Sequence, residues 1–404
     1  MKRLLGVLLV AGMMFAWGCS VFGERLTPSA EDPPLSVEAC TIPRETLTLE
    51  SVARIRPGDP SRNFTDIWGY ADHKSGTYLV FLAKQNEVAV IDVSSPQAPR
   101  VVSSIKTPFH ASNHDLSVLD HYLYIVTERG AVYSTETSPG LQIVDFSNPH
   151  NPVSSFFEES FKTAHTIFID EQARRLYAVG TDRGMRILDV SDPLHPKDIG
   201  GYQAKYIHEV YVRDGLAYAA EINDGQVEIL DVRDPSEIKV VAEFRSPWSV
   251  PHSTWLSEDS RYLVIADEGH RIDREARQIF RTESGFSIYD ISGVRAGEEM
   301  FEPRQVSTHF YPSATAHQIY VVGNLLFASW YTEGVKIFDI IDPAEIKELA
   351  SFDTSEYLPS LKGFGGAWGL WPYDPRGEYV YVSDMEEGLV VLRVRQKEER
   401  GCEK

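Results

Sequence analysis

The sequence predicts an all-β protein: a seven-bladed β-propeller of four-stranded blades, closed by an N-terminal strand that completes the last blade. Three observations lead there. A six-residue strand motif recurs seven times along the chain. Each recurrence sits in a block of four short β-type runs separated by turn signals. A further run of the same type stands upstream of the first block and is missing from the end of the last. Four strands repeated about every 40–60 residues are the signature of propeller blades. One such unit cannot bury both of its faces, so neighbours must stack on it.

The motif is first Val88-Ala89-Val90-Ile91-Asp92-Val93. It returns at Leu141–Phe146, Met185–Val190, Val227–Val232, Phe286–Ile291 and Val335–Ile340, each time with Asp in fifth place. The seventh copy, Leu389–Val394, has Arg393 there instead. A Pro-containing turn follows most copies: Ser95-Pro96, Asn148-Pro149, Asp192-Pro193, Asp234-Pro235 and Asp342-Pro343. The recurring Asp is expected to hold this turn through an Asx-type hydrogen bond. In the third block the strands read His165–Ile169, Arg175–Val179, Met185–Val190 and Pro196–Tyr202. After Val394 only a charged tail remains, whereas Glu45–Ile55 resembles the fourth strand Pro99–Ile105. The N-terminal strand therefore completes the seventh blade and removes a free sheet edge.

The first residues have another purpose. Lys2 and Arg3 precede the uncharged apolar run Leu4–Phe15, and Gly18-Cys19 follows. This is the order of a secretory signal. The run is shorter than the roughly 20 residues of a spanning helix. The expected organisation is a leader over 1–19, a flexible Pro-rich tether over 20–44, the propeller over 45–396 and a tail over 397–404. Cys19 after Gly18 resembles a bacterial lipobox, although Ala16 and Trp17 depart from its usual residues. The resemblance implies acylation of Cys19 and a lipid anchor in the bacterial membrane. Ser20 in the next position implies the outer membrane or cell surface. Cys40 and Cys402 lie just outside the two strands that close the ring, and an exported location allows a disulfide between them. The net charge of −20 repels phosphate backbones and excludes a nucleic-acid partner.

The strand motifs resemble LVIVD repeats. Longer stretches resemble the choice-of-anchor B proteins: Asp66-Ile67-Trp68-Gly69-Tyr70, Ala164-His165-Thr166-Ile167, Ala316-His317-Gln318-Ile319, Gly366-Ala367-Trp368 and Val382–Leu389. The resemblance spans roughly residues 60–395 in matching order. It implies an exported bacterial propeller held at the cell surface, and it implies no particular activity.

Aligning the blades on their first strands exposes one column: Thr65, His114, His165, His208, His252, His317 and Trp368. First strands line the channel of a propeller. Their starts share a face with the ends of the second strands, which carry Glu128, Asp182, Glu221, Asp267, Glu268 and Asp384. Asp66, Asp115 and Glu209 are the column's neighbours. The candidates for a metal or polar-ligand site at the channel mouth are His114, His165, His208, His252 and His317, with Asp115, Glu209, Asp267 and Asp384. Imidazole suits divalent transition metals, and carboxylates orient the rings. A recurrent His serves equally well in hydrogen bonds that tie a blade together, so both readings stand here.

Long connections at 127–139, 268–285 and 353–366 gather on the same face, as recognition loops do. The second of these is basic, with His270, Arg271, Arg274, Arg277 and Arg281. No nucleophile elbow, phosphate loop, dinucleotide fingerprint or zinc-protease motif is present. The preferred expectation is a non-enzymatic surface module that binds an extracellular protein or polymer. The alternative is a metal-dependent enzyme, a lyase or oxidase, using the same histidines.

Overall fold

A computed structural model describes residues 47–58, 63–108, 113–128, 140–273, 278–281, 284–294, 300–311, 315–354 and 365–396. They form seven four-stranded antiparallel sheets and one two-stranded hairpin. The first blade runs Phe64–Asp72, Thr77–Lys84, Glu87–Asp92 and Arg100–Lys106, in that spatial order. The third blade runs Thr166–Asp170, Arg175–Thr181, Gly184–Asp189 and Lys197–Tyr202, within two residues of the expected strands. The innermost strands pack side by side around the axis. Phe64–Asp72 meets His114–Leu119 on one side and Ala367–Trp371 on the other, which closes the circle.

Burial explains why the motif strands are apolar on both faces. Val88, Val90 and Ile91 of the first blade are fully buried, because each sheet is covered by a neighbour on either side. Outer strands such as Arg100–Lys106 alternate toward solvent. The core consequently lies between blades. One cluster joins Tyr124 and Ile143 of blade two to Ile167, Leu176 and Leu188 of blade three. Another joins Ile67, Val80 and Ile91 of blade one to Trp371, Tyr381 and Val391 of blade seven.

The repeated Asp does what the sequence predicts in all six blades that carry it. Asp92, Asp145, Asp189, Asp231, Asp290 and Asp339 each accept the backbone N–H two residues on, at 2.8–3.2 Å. The turn into the fourth strand is thereby fixed before its Pro is reached. Closure is also as expected. Leu47–Ile55 pairs antiparallel with Gly388–Gln396, from Leu47 opposite Gln396 to Ile55 opposite Leu389.

The connection after Glu268, read as a loop from its sequence, contains a hairpin instead: His270–Asp273 pairs with Gln278–Arg281. Its basic residues Arg274 and Arg277 lie outside the described residues. So do the leader, Cys19, Cys40, Cys402 and the tail. Among the described residues, no helix is long and apolar enough to cross a membrane.

Candidate metal centre at the channel mouth

Equal positions in stacked blades bring side chains into register, and the imidazoles of consecutive blades touch. Ring centroids are 3.9 Å apart for His165 and His208, 4.6 Å for His208 and His252, and 4.2 Å for His252 and His317. Trp368 of blade seven continues the row, 4.7 Å from His317. Four histidines from four blades therefore form one arc, as the sequence column predicts.

Each ring has a polar group beside its Nδ1. His165 Nδ1 lies 3.0 Å from Glu128 Oε2, off the line of a good hydrogen bond. His208 Nδ1 is 3.5 Å from the Tyr206 hydroxyl, and His252 Nδ1 is 3.6 Å from Glu209 Oε2. His317 Nδ1 is 2.6 Å from the carbonyl oxygen of Trp368. A carbonyl only accepts, so His317 carries its proton on Nδ1 and keeps a lone pair on Nε2. This is the orientation of a ligating histidine.

Two donor sets result. One atom each from His165, His208 and His252 lie mutually within 4.8 Å, and so do one atom each from His252, Glu268 and His317. His252 belongs to both sets. Burial, and then the neighbouring His252, drive the pKa of His317 well below the usual imidazole value. Burial also opposes charge on His252, but the carboxylates of Glu268 and Glu209 outweigh it and raise its pKa. The row thus pairs an imidazole held neutral with one that attracts positive charge.

Glu209 joins the arc, but four other candidates serve elsewhere. His114 is fully buried; its Nδ1 lies 2.9 Å from the Thr127 hydroxyl, and its Nε2 lies 3.2 Å from the Thr107 hydroxyl and 3.1 Å from the Gln85 carbonyl. His114 thus ties blade two to blade one, rather than tying one blade together. Asp115 accepts the N–H of Ile167 at 2.7 Å, as Asp66 accepts that of Leu116 at 2.9 Å. Both carboxylates latch one inner strand to the next. Burial pushes the carboxyl of Asp66 up to about 7 and that of Asp115 well above its usual range. Asp267 turns to the Ser246 hydroxyl and the Val250 N–H, at 2.6 and 2.9 Å. Asp384 accepts the N–H groups of Glu386 and Glu387 and so caps its turn.

The sequence places Glu128 and Glu268 on this face without naming them as site candidates, and it does not single out Tyr331. Tyr331 is fully buried with φ of 37°, in the left-handed region that a bulky side chain seldom adopts. Its hydroxyl donates to Glu268 Oε1 at 3.1 Å, and its ring lies 4.9 Å from His317. Farther along the axis Asp66, Asp115, Glu209 and Gln318 line a cavity of about 40 Å³, room for one or two waters. Trp255 packs against Tyr211 and Tyr320 there, at 4.2 and 4.9 Å. The accessible chemistry is at the mouth, where the His165 side chain is 12% exposed.

Comparison with known proteins matches the LVIVD repeat at residues 75–107, 112–157, 176–204 and 367–394, in blades one, two, three and seven. No curated protein matches the chain. The repeat matches and the architecture agree: the chain is a seven-bladed β-propeller that carries LVIVD repeats.

Proposed function

We propose that this protein is an exported, membrane-anchored propeller that works as a non-enzymatic binding module at the cell surface, with a divalent transition metal held at its channel mouth. The observation that supports the metal is the pair of donor sets sharing His252. The fold supports a binding role, since it sets a rigid ring beneath connections that differ from blade to blade. The paired segments His270–Asp273 and Gln278–Arg281 follow closely on Glu268 in a stretch of basic sequence, and an extracellular protein or polymer would be recognised there. The apolar run Leu4–Phe15 and the lipobox-like Cys19 support the anchor, as does the resemblance to choice-of-anchor B proteins.

The test is metal analysis of the protein purified without chelator and without a histidine tag. About one transition-metal ion per chain is expected, lost in His252→Ala because that residue serves both donor sets. Protein that neither retains nor rebinds metal would overturn the reading. Anchoring is tested separately. Cys19→Ser should release the protein from the membrane fraction and abolish labelling by radioactive palmitate. Free-thiol titration of non-reduced protein tests the bridge proposed between Cys40 and Cys402, with no reactive thiol expected from either.

A further inference from the structure

We infer that Glu268 is a direct ligand of the metal, positioned by Tyr331, so that His252, His317 and Glu268 form a two-histidine, one-carboxylate centre with coordination positions open to an outside ligand. The inference rests on the metal reading above and says which donors hold the ion. His252 Nε2 and Glu268 Oε2 face each other at 4.0 Å, and the His317 donor lies within 4.8 Å of both. Donors around an ion at about 2.1 Å are separated by about 3–3.5 Å. Side-chain rotations of about 1 Å would close the set.

Three features fix these donors. The His317 ring is held by its Nδ1 bond to the Trp368 carbonyl, which directs Nε2 away from that carbonyl. Glu268 Oε1 accepts the Tyr331 hydroxyl, leaving Oε2 as the oxygen nearer His252. Tyr331 itself is locked: its carbonyl accepts the N–H groups of Gly334 and Ala367 at 2.9 and 3.0 Å, which holds the left-handed backbone in place. Backbone strain of this kind persists where the surroundings over-determine it, and it clusters at ligand clamps.

Charge decides between the two donor sets. His252 and His317 are each 3% exposed, and a dication brought to that depth needs an anion in contact. The set of His165, His208 and His252 supplies only imidazoles, whereas Glu268 supplies a carboxylate. His252 belongs to both sets, and the set that carries the carboxylate is favoured. Three protein donors leave one or more positions for water or a small oxygen- or nitrogen-donor anion, beside the rings of Tyr331 and Trp368.

The experiment loads the full chain, stripped of metal and free of any tag, with Co²⁺, and reads the visible band and the affinity. Wild type should bind one equivalent, and azide should shift the band. Glu268→Gln should weaken binding at least 10-fold and alter the band; Tyr331→Phe, which keeps the ring, should weaken it about 10-fold. Glu268→Asp retains the charge and should restore part of the affinity, so the question stays decidable if the Gln variant misfolds. Failure of wild type to bind Co²⁺ would bring down the metal reading itself. Normal binding by wild type with an unchanged band and affinity in Glu268→Gln would overturn Glu268 as ligand while leaving the metal in place. A band indifferent to azide would overturn the open positions.

Discussion

Glu221→Gln is expected to stabilise this protein at neutral pH, although it removes a charge that sits beside a lysine. Glu221 and Glu228 occupy adjacent strands of blade four, 0% and 1% exposed. Lys205 Nζ reaches them at 3.3 and 2.8 Å and reaches Glu243 at 3.0 Å. One cation cannot neutralise two carboxylates at this depth. Burial, reinforced by Glu228, raises the pKa of Glu221 from 4.5 to about 9, with Lys205 pulling the other way. The proton belongs to the pair, and one of the two is neutral at pH 7.

A carboxyl with a raised folded pKa holds its proton in the native state where the unfolded chain has released it. Stability therefore falls as pH rises from about 4.5 to about 9. At pH 7 the cost is 2.5 pH units, about 3 kcal/mol at 1.4 kcal/mol per unit. Gln resembles the protonated acid and avoids that cost. Urea unfolding followed by tryptophan fluorescence at pH 5, 6, 7 and 8 measures it. The variant should gain about 2–3 kcal/mol over wild type at pH 7 and under about 1 kcal/mol near pH 5. A variant less stable than wild type at pH 7, or two parallel pH profiles, would refute the reasoning.

Three further outcomes follow from the fold. Gly69→Ala would place a Cβ 2.3 Å from the Trp371 ring, across the joint between blades one and seven, and should cost about 2–3 kcal/mol in urea unfolding. Asp189→Ala removes the acceptor 2.8 Å from the Ser191 N–H and should cost about 1 kcal/mol, with the same expected for Asp145→Ala if the repeat acts through one device. Deleting residues 1–56 strips the outer partner from Gly388–Gln396 and should abolish cooperative unfolding or leave the protein insoluble; an unchanged melting temperature would show that the ring closes without it.

The fold was legible because its cause is periodic. Seven copies of one strand motif can bury their two faces only by stacking, and the Asp that ends six of them forms the same bond each time. The histidine column was legible for the same reason. Its surroundings were not, because they depend on which way single side chains turn at strand ends. Asp267 and Glu268 are neighbours in sequence; the first turns to Ser246 and Val250 and the second toward His252 and Tyr331. At a strand end one residue of difference reverses the side, and the register there cannot be read from composition. Tyr331 carries no motif at all, and its role comes from a left-handed backbone that no sequence pattern announces.

His114 provides an internal control for the meaning of the arc. It shares the repeat position of His165, yet its two nitrogens meet the hydroxyls of Thr127 and Thr107 and the Gln85 carbonyl. A histidine placed to tie blade two to blade one is thus satisfied by neutral neighbours. The difference begins at the residue opposite. Thr127 stands across from His114 and bonds its ring. In blade three the corresponding partner strand offers Gly180, where a Cβ would come within 2.4 Å of the His165 Cβ. Glycine leaves His165 room to lie against His208 instead. From there to His317 the rings meet one another, and His165 and His252 also meet carboxylates. Packing imidazoles against imidazoles forbids them all to be charged, and it forces at least His317 to keep an unprotonated nitrogen. The lone pair that His317 keeps on Nε2, beside Glu268, is what the proposed cation at this mouth would take up.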